Sequence, residues 1–62
     1  MEITKNGVLQ FIKWRKQYEV KPTKNLKTKI NNYIDNVINK DKYYYSKISS
    51  YGINENDLKY LL

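Results

Sequence analysis

The 62-residue chain contains no cysteine, no histidine, one phenylalanine, one tryptophan, one proline and two glycines, and only one of its twelve basic residues is arginine. Each shortage narrows what the molecule can be. Without thiols there is no disulfide to brace a small domain, and zinc sites, which draw on Cys and His, lack their usual ligands. Cysteine nucleophiles, histidine general bases and Ser-His pairs are excluded on the same ground. Six carboxylates remain, Glu2, Glu19, Asp35, Asp41, Glu55 and Asp57. They could work as an acid/base pair only in a water-excluding cleft, and so short a chain has little material to wall one. The expectation is no enzyme, no metal and no cofactor.

Long apolar runs are missing too. None approaches the roughly 18 residues of a membrane span, and "MEITKNGVLQF" lacks the basic, apolar, small-residue order of a signal peptide. The expected location is the cytoplasm, of the host cell if the origin is viral, with no membrane partner. Residues 1–62 are read as a single small domain. A domain of this size buries only about 60% of the surface its unfolded chain exposes. With disulfides and metals excluded, support must come from regular helix packing, from self-association as a homodimer, or from a partner.

Lysine, asparagine, isoleucine and seven tyrosines are abundant, a bias that an AT-rich genome would supply by itself. The placement of charge is harder to attribute to codon bias. Residues 1–32 carry eight basic groups against Glu2 and Glu19, the whole net charge of +6, whereas residues 33–62 carry four of each sign. A basic half of this kind points to an anionic partner.

The first segment, "KNGVLQFIKWRKQYEV", admits two readings. As a helix over about Gly7–Tyr18, capped by Asn6, it places Val8, Phe11, Ile12 and Tyr18 near one face. As a strand, Ile12, Trp14, Tyr18 and Val20 alternate with polar residues, and Asn6-Gly7 suits a two-residue hairpin turn. The helix propensity of Leu9, Gln10, Lys13, Arg15, Lys16 and Gln17 favours the helix. In both, Lys13, Arg15 and Lys16 surround Trp14, whose ordinary role is a half-buried anchor under lysine stems.

Pro22 breaks the pattern and Thr23 is a good N-cap. Leu26, Ile30, Tyr33, Ile34, Val37 and Ile38 then form the clearest helical stripe, predicting a helix over Lys24–Asn39. Lys27 and Lys29 flank its first turn, where lysines oppose the macrodipole and a docked phosphate would relieve them. A third helix is predicted over Lys42–Tyr51, capped by Asp41. It carries Tyr44, Ile48 and Tyr51 on one face, with Tyr43 and Tyr45 about 100° to either side. Gly52 suits the left-handed residue that ends a helix. "INENDL" reads as the next start: Asn54 as cap, Asp57 in a capping-box position and Ile53 stapled to Leu58, with the helix running to Leu62.

Tyr44 to Leu62, "YYSKISSYGINENDLKYLL", resembles the helix-turn-helix motif: a helix, a glycine in the turn, an apolar residue, then Leu58 and Leu61. The resemblance covers about a third of the chain. It implies a second helix whose N-terminal residues, here Asn54, Glu55, Asn56 and Asp57, lie at base edges in the major groove. Two carboxylates there would face phosphates with only Lys59 to offset them, and capping already accounts for both. "FIKWRKQY" with the following T, I and Y positions and "INENDLKYLL" looks like the helical core-binding domain of tyrosine recombinases. That likeness implies a DNA surface on the basic half, although the family's catalytic motifs are absent from these residues.

The fold expected is all-α, three or four short helices with a C-terminal helix-turn-helix-like corner; the alternative is α+β with an N-terminal β-hairpin. The expected function is that of a small DNA-binding accessory or regulatory protein, bacteriophage- or plasmid-like, active in transcription regulation. DNA phosphates would be met by Lys13, Arg15, Lys16, Lys21, Lys24, Lys27 and Lys29. The alternative is a protein-binding inhibitor or antirepressor that docks on a larger host protein through Trp14, Tyr43 and Tyr45.

Overall fold

A computed structural model describes residues 3–61, and among these the chain is all-α, with four helices and no strand. Helix α1 spans Lys5–Val20, α2 Lys24–Tyr33, α3 Tyr44–Ser50 and α4 Glu55–Leu58, with a π-helical turn at Ile34–Ile38 continuing α2. The N-terminal hairpin is not formed. Its proposed turn residue, Gly7, lies inside α1, where an added Cβ would meet the Thr4 hydroxyl at 3.1 Å and the Tyr33 hydroxyl at 3.5 Å. Gly7 thus serves close packing rather than reversal of the chain.

The cap of α1 is Thr4, not Asn6. Thr4 is extended (φ −133°, ψ 159°) and its hydroxyl accepts from the Gly7 N–H at 3.0 Å, while Ile3 before it is buried. An apolar residue ahead of the cap anchors the entering chain, and the helix begins two residues earlier than the polar pattern suggests. Its far end meets Pro22: the Lys21 N–H closes on the Gln17 carbonyl at 2.9 Å and the helix stops. Val8, Phe11 and Ile12 form its buried stripe.

Thr23 caps α2 as expected, accepting from the Leu26 N–H at 3.2 Å. The uninterrupted helix to Asn39 is corrected. After Tyr33 the turn widens, and the Asn39 N–H reaches the Ile34 carbonyl, five residues back, at 2.9 Å. The wider turn buries Val37 while Ile34 and Ile38 stay half-buried on its flanks.

The third helix starts at Tyr44 rather than Lys42. Asp41 precedes it as a local turn, one carboxylate oxygen accepting from the Tyr43 N–H at 2.9 Å and the other from Lys47 Nζ at 2.8 Å. Gly52 then turns the chain at φ +69°, where a Cβ would strain the backbone even though the space around it is open. Asn54 caps α4, accepting from the Asn56 N–H at 2.9 Å. Asp57 does not close a capping box, because its carboxylate is held by Lys16 of α1 at 2.8 Å. Helix α4 is a single turn, shorter than the run to Leu62 that the pattern suggests; Leu62 itself lies outside the described residues.

The core is built from Ile3, Val8, Phe11, Ile12, Ile30, Val37, Tyr44, Ile48 and Leu61, with α4 adding only the half-buried Leu58 against it. Tyr33 stacks on Phe11 (centroids 4.8 Å apart, planes at 19°) and meets Trp14 edge-on at 6.5 Å. The buried Tyr44 donates its hydroxyl to the Leu61 carbonyl at 3.2 Å, and Tyr51 donates to the Ile3 carbonyl at 3.3 Å. Two phenols therefore tie the two ends of the described chain to α3 and the turn after it.

Burial, with the neighbouring phenols of Tyr33 and Tyr45, pushes the Tyr44 phenol up to about 12 from its ordinary 10. The folded chain holds this proton more tightly than the unfolded chain does. Its contribution to stability is intact below pH 10 and is lost as pH rises toward 12. Tyr44→Phe, which loses the hydrogen bond, is predicted to be about 1 kcal/mol less stable at neutral pH. Its stability should also fall less between neutral pH and about pH 11 than that of the unsubstituted chain. Thermal unfolding at the two pH values checks both; an equally steep alkaline loss would contradict the second.

Candidate nucleic-acid interface

About 100° of rotation per residue scatters neighbouring side chains around a helix, and this decides which basic groups can act together. Lys13 projects from the side of α1 opposite Phe11 and is exposed. Lys21 and Lys24 stand exposed at the α1–α2 corner, and Lys27 follows Lys24 by one turn on α2. Lys29 lies on the other flank of α2, its Nζ 5.9 Å from the centroid of the half-buried Trp14 ring. Trp14 thus has the lysine stem over it that the sequence suggested, but the lysine comes from α2 rather than from Lys13 or Lys16.

Two of the seven basic residues are engaged elsewhere. Lys16 Nζ pairs with Asp57 at 2.8 Å and stands 6.0 Å from the Tyr60 ring centroid, joining α1 to α4. Arg15 continues the buried stripe, four residues after Phe11 and three after Ile12, and its guanidinium lies 5.9 Å over the Phe11 ring. The surround of Lys13, Arg15 and Lys16 about Trp14 therefore does not form, since consecutive positions on a helix diverge. At the corner, the exposed Val20 and half-buried Leu26 make an apolar notch edged by Lys16 and Lys21.

Beside Arg15 a cleft of about 430 Å³ opens between α1, α2 and Tyr60. Tyr18, Ile30 and Ile34 supply its apolar lining, and Lys27 faces it from α2. Tyr60 donates its hydroxyl to Glu19 Oε2 at 2.7 Å. That hydrogen bond is the main cause of a raised Tyr60 phenol, with smaller contributions from partial burial and the Glu19 and Asp57 charges; Arg15 opposes them. The ring also lies near two ammonium groups, Lys16 at 6.0 Å and Lys59 at 5.1 Å. Tyr60 and Glu19 were not singled out from sequence. The legible signal was Arg15 on an apolar stripe with Glu19 four residues on; Tyr60 comes from a turn 41 residues away from Glu19, which no local pattern reveals.

Tyr43 and Tyr45 are 68% and 64% exposed, the margins expected for them, while Tyr44 between them is buried. Tyr45 packs edge-on against Tyr44 (5.3 Å, 67°) and borders a hollow of about 360 Å³ with Ile48, Gly52, Ile53 and Leu58. At the helix-turn-helix-like corner, Glu55 and Asn56 are exposed, and Asp57 is turned to Lys16.

Among the described residues no helix is long and apolar enough to cross a membrane, and no acidic cluster could hold a metal ion. Comparison with protein-family models, with curated proteins and with solved structures gives no match.

The Tyr60–Glu19 contact is testable by itself. Glu19→Gln removes the charge that retains the phenolic proton, so Tyr60 should titrate at lower pH in the variant, closer to the ordinary value. Following the Tyr60 ring signals by NMR through alkaline pH checks this; an unmoved titration would show that Glu19 does not hold the hydroxyl.

Proposed function

We propose that this chain is a small DNA-binding accessory or regulatory protein of the kind used by bacteriophages or plasmids, acting in the cytoplasm. It would hold duplex DNA through phosphate contacts with little base reading. The observation that carries this reading is the exposed lysine group around the α1–α2 corner, Lys21, Lys24 and Lys27, within a half of the chain that bears the whole net charge of +6. Lys13 and Lys29 extend it along the two helices. Lysine ammonium groups act as point charges on phosphate oxygens without a fixed fork, which suits register-free contact. Lys16 joins only by giving up Asp57. The α4 corner adds no cation except Lys59, so base reading by α4 has little to draw phosphate toward it.

Three phosphate contacts would make duplex affinity fall about 40-fold between 50 and 200 mM salt, through counterion release. Lys21→Glu with Lys24→Glu is predicted to reduce low-salt affinity by more than about tenfold and to lower the salt slope by roughly two. Fluorescence anisotropy with a labelled duplex over a salt series measures both. Binding that ignores salt, or that survives the double reversal, would sink the reading.

The exposed Tyr43 and Tyr45 rings support a second reading, a docking surface for a larger host protein in the inhibitor or antirepressor manner. Both rings lie in the half without net charge, and tyrosines at such sites give contact area at low entropic cost. The expected outcome is a nuclease-resistant complex from host lysate that the Tyr43→Ala, Tyr45→Ala variant loses and the Lys21→Glu, Lys24→Glu variant keeps. Loss in the lysine variant, or retention in the tyrosine one, would count against it.

A further inference from the structure

Arg15 is the only arginine in the chain, and its position is unusual for a solvating charge. It is half-buried on the apolar side of α1, over Phe11, at the mouth of the cleft. Glu19 lies one turn on, at the spacing that ordinarily pairs acid and base on a helix. Yet no carboxylate of the described residues lies within 4 Å of the Arg15 guanidinium, and Glu19 instead accepts the Tyr60 hydroxyl at 2.7 Å. This guanidinium, on a half-buried residue with no carboxylate partner among the described residues, is available to an anion, and its five N–H donors are fixed in a plane. The fork therefore suits an anionic group that can take two parallel hydrogen bonds.

The remaining lining describes the rest of such a ligand. Lys27 brings a second cation from the facing helix, so the site suits a phosphate, whose oxygens can take a bidentate guanidinium and an ammonium together. Tyr18, Ile30 and Ile34 offer an apolar bed for a flat ring. Asn31 and the Glu19 carboxylate supply an amide and an acceptor for ring-edge N–H groups. The volume of about 430 Å³ lies within the range of about 300 to 1,000 Å³ usual for small-ligand pockets.

We propose that the cleft between α1, α2 and Tyr60 binds a single nucleotide unit, with Arg15 and Lys27 on its phosphate and its base on Tyr18, Ile30 and Ile34. Such a unit comes from a free nucleoside monophosphate or from the phosphorylated end of a strand. The site shares Lys27 with the phosphate surface above but is separable from it: Lys13, Lys21 and Lys24 do not line the cleft, and Arg15 does not belong to the exposed lysine group.

Calorimetric titration of the full chain at constant ionic strength tests the site. The probes are the nucleoside monophosphates, inorganic phosphate, the matching nucleosides, and a single-stranded oligonucleotide with and without a 5′-phosphate. At least one monophosphate should bind about tenfold tighter than either phosphate or its nucleoside, because each fragment forfeits one half of the contacts. Arg15→Lys keeps the charge but loses the planar fork and should weaken that binding by about tenfold, as should Lys27→Gln on the exposed flank of α2. Thermal unfolding of both variants identifies any loss of fold, and Lys27→Gln keeps the test decisive if Arg15→Lys is destabilised. An oligonucleotide that needs its 5′-phosphate and outbinds the monophosphate assigns the site to strand ends, and the reverse order assigns it to free nucleotide. Monophosphates that bind no tighter than inorganic phosphate, or binding indifferent to both variants, would overturn the site. Duplex affinity in the Lys21→Glu, Lys24→Glu variant reports separately on the phosphate surface.

Discussion

The stack of Tyr33 on Phe11 is the contact on which the rest of the molecule depends. It sets the C-terminal end of α2 against the middle of α1, and aromatic pairs of this geometry add about 0.5–1.5 kcal/mol beyond the area they bury. Gly7 lies beside that contact, where an added Cβ would press on the Thr4 hydroxyl at 3.1 Å and only touch the Tyr33 hydroxyl at 3.5 Å. With the two helices fixed in rotation, Lys29 is brought over Trp14 on one side of the pair, and Lys27 faces the Arg15 cleft on the other. The distribution of charge over the surface thus follows from one ring contact in the core.

A core built from tyrosines carries an obligation that phenylalanine or leucine would not impose, because each buried hydroxyl needs a partner. Tyr44 and Tyr51 meet it by donating to the Leu61 and Ile3 carbonyls, and these bonds hold the two ends of the described chain to the middle. Tyr60, at the surface, donates to Glu19 and thereby engages the carboxylate one turn beyond Arg15. Tyr33 finds no partner among the described residues, and burial raises its phenol. An unsatisfied buried hydroxyl costs about 1–3 kcal/mol, which the burial of the ring and its stack on Phe11 together must offset.

What the sequence made legible was periodic or local. The stripe from Leu26 to Ile38, the Thr23 and Asn54 caps, the left-handed Gly52 and the inward Tyr44 between outward Tyr43 and Tyr45 all follow from rules that span a few residues. The misplacements share a cause. Asn6 looked like the cap of α1 because the burial of Ile3, which draws the start back to Thr4, depends on distant packing that includes the Tyr51 hydroxyl. Asp57 looked like half of a capping box because Lys16, its actual partner, is 41 residues away. Arg15 stands beside Lys13 and Lys16 in sequence, whereas its spacing to Phe11 and Ile12 puts it on the buried stripe, and the cleft beside it, closed by Tyr60, is the least legible part of the site.

The two kinds of cation in this chain are therefore separated by chemistry as well as by place. The lysines at the α1–α2 corner are exposed ends of flexible stems, able to follow a phosphate ladder but unable to fix the orientation of any one group. The single guanidinium is held over a ring, on a half-buried residue, beside a cleft with an apolar bed. A compositional bias toward lysine can produce the first arrangement by accumulation alone. It does not readily produce the second, since it would place lysine at position 15 as well, and an ammonium there would lose the stacking and the planar fork. The one planar, oriented cation among the twelve basic residues is therefore Arg15.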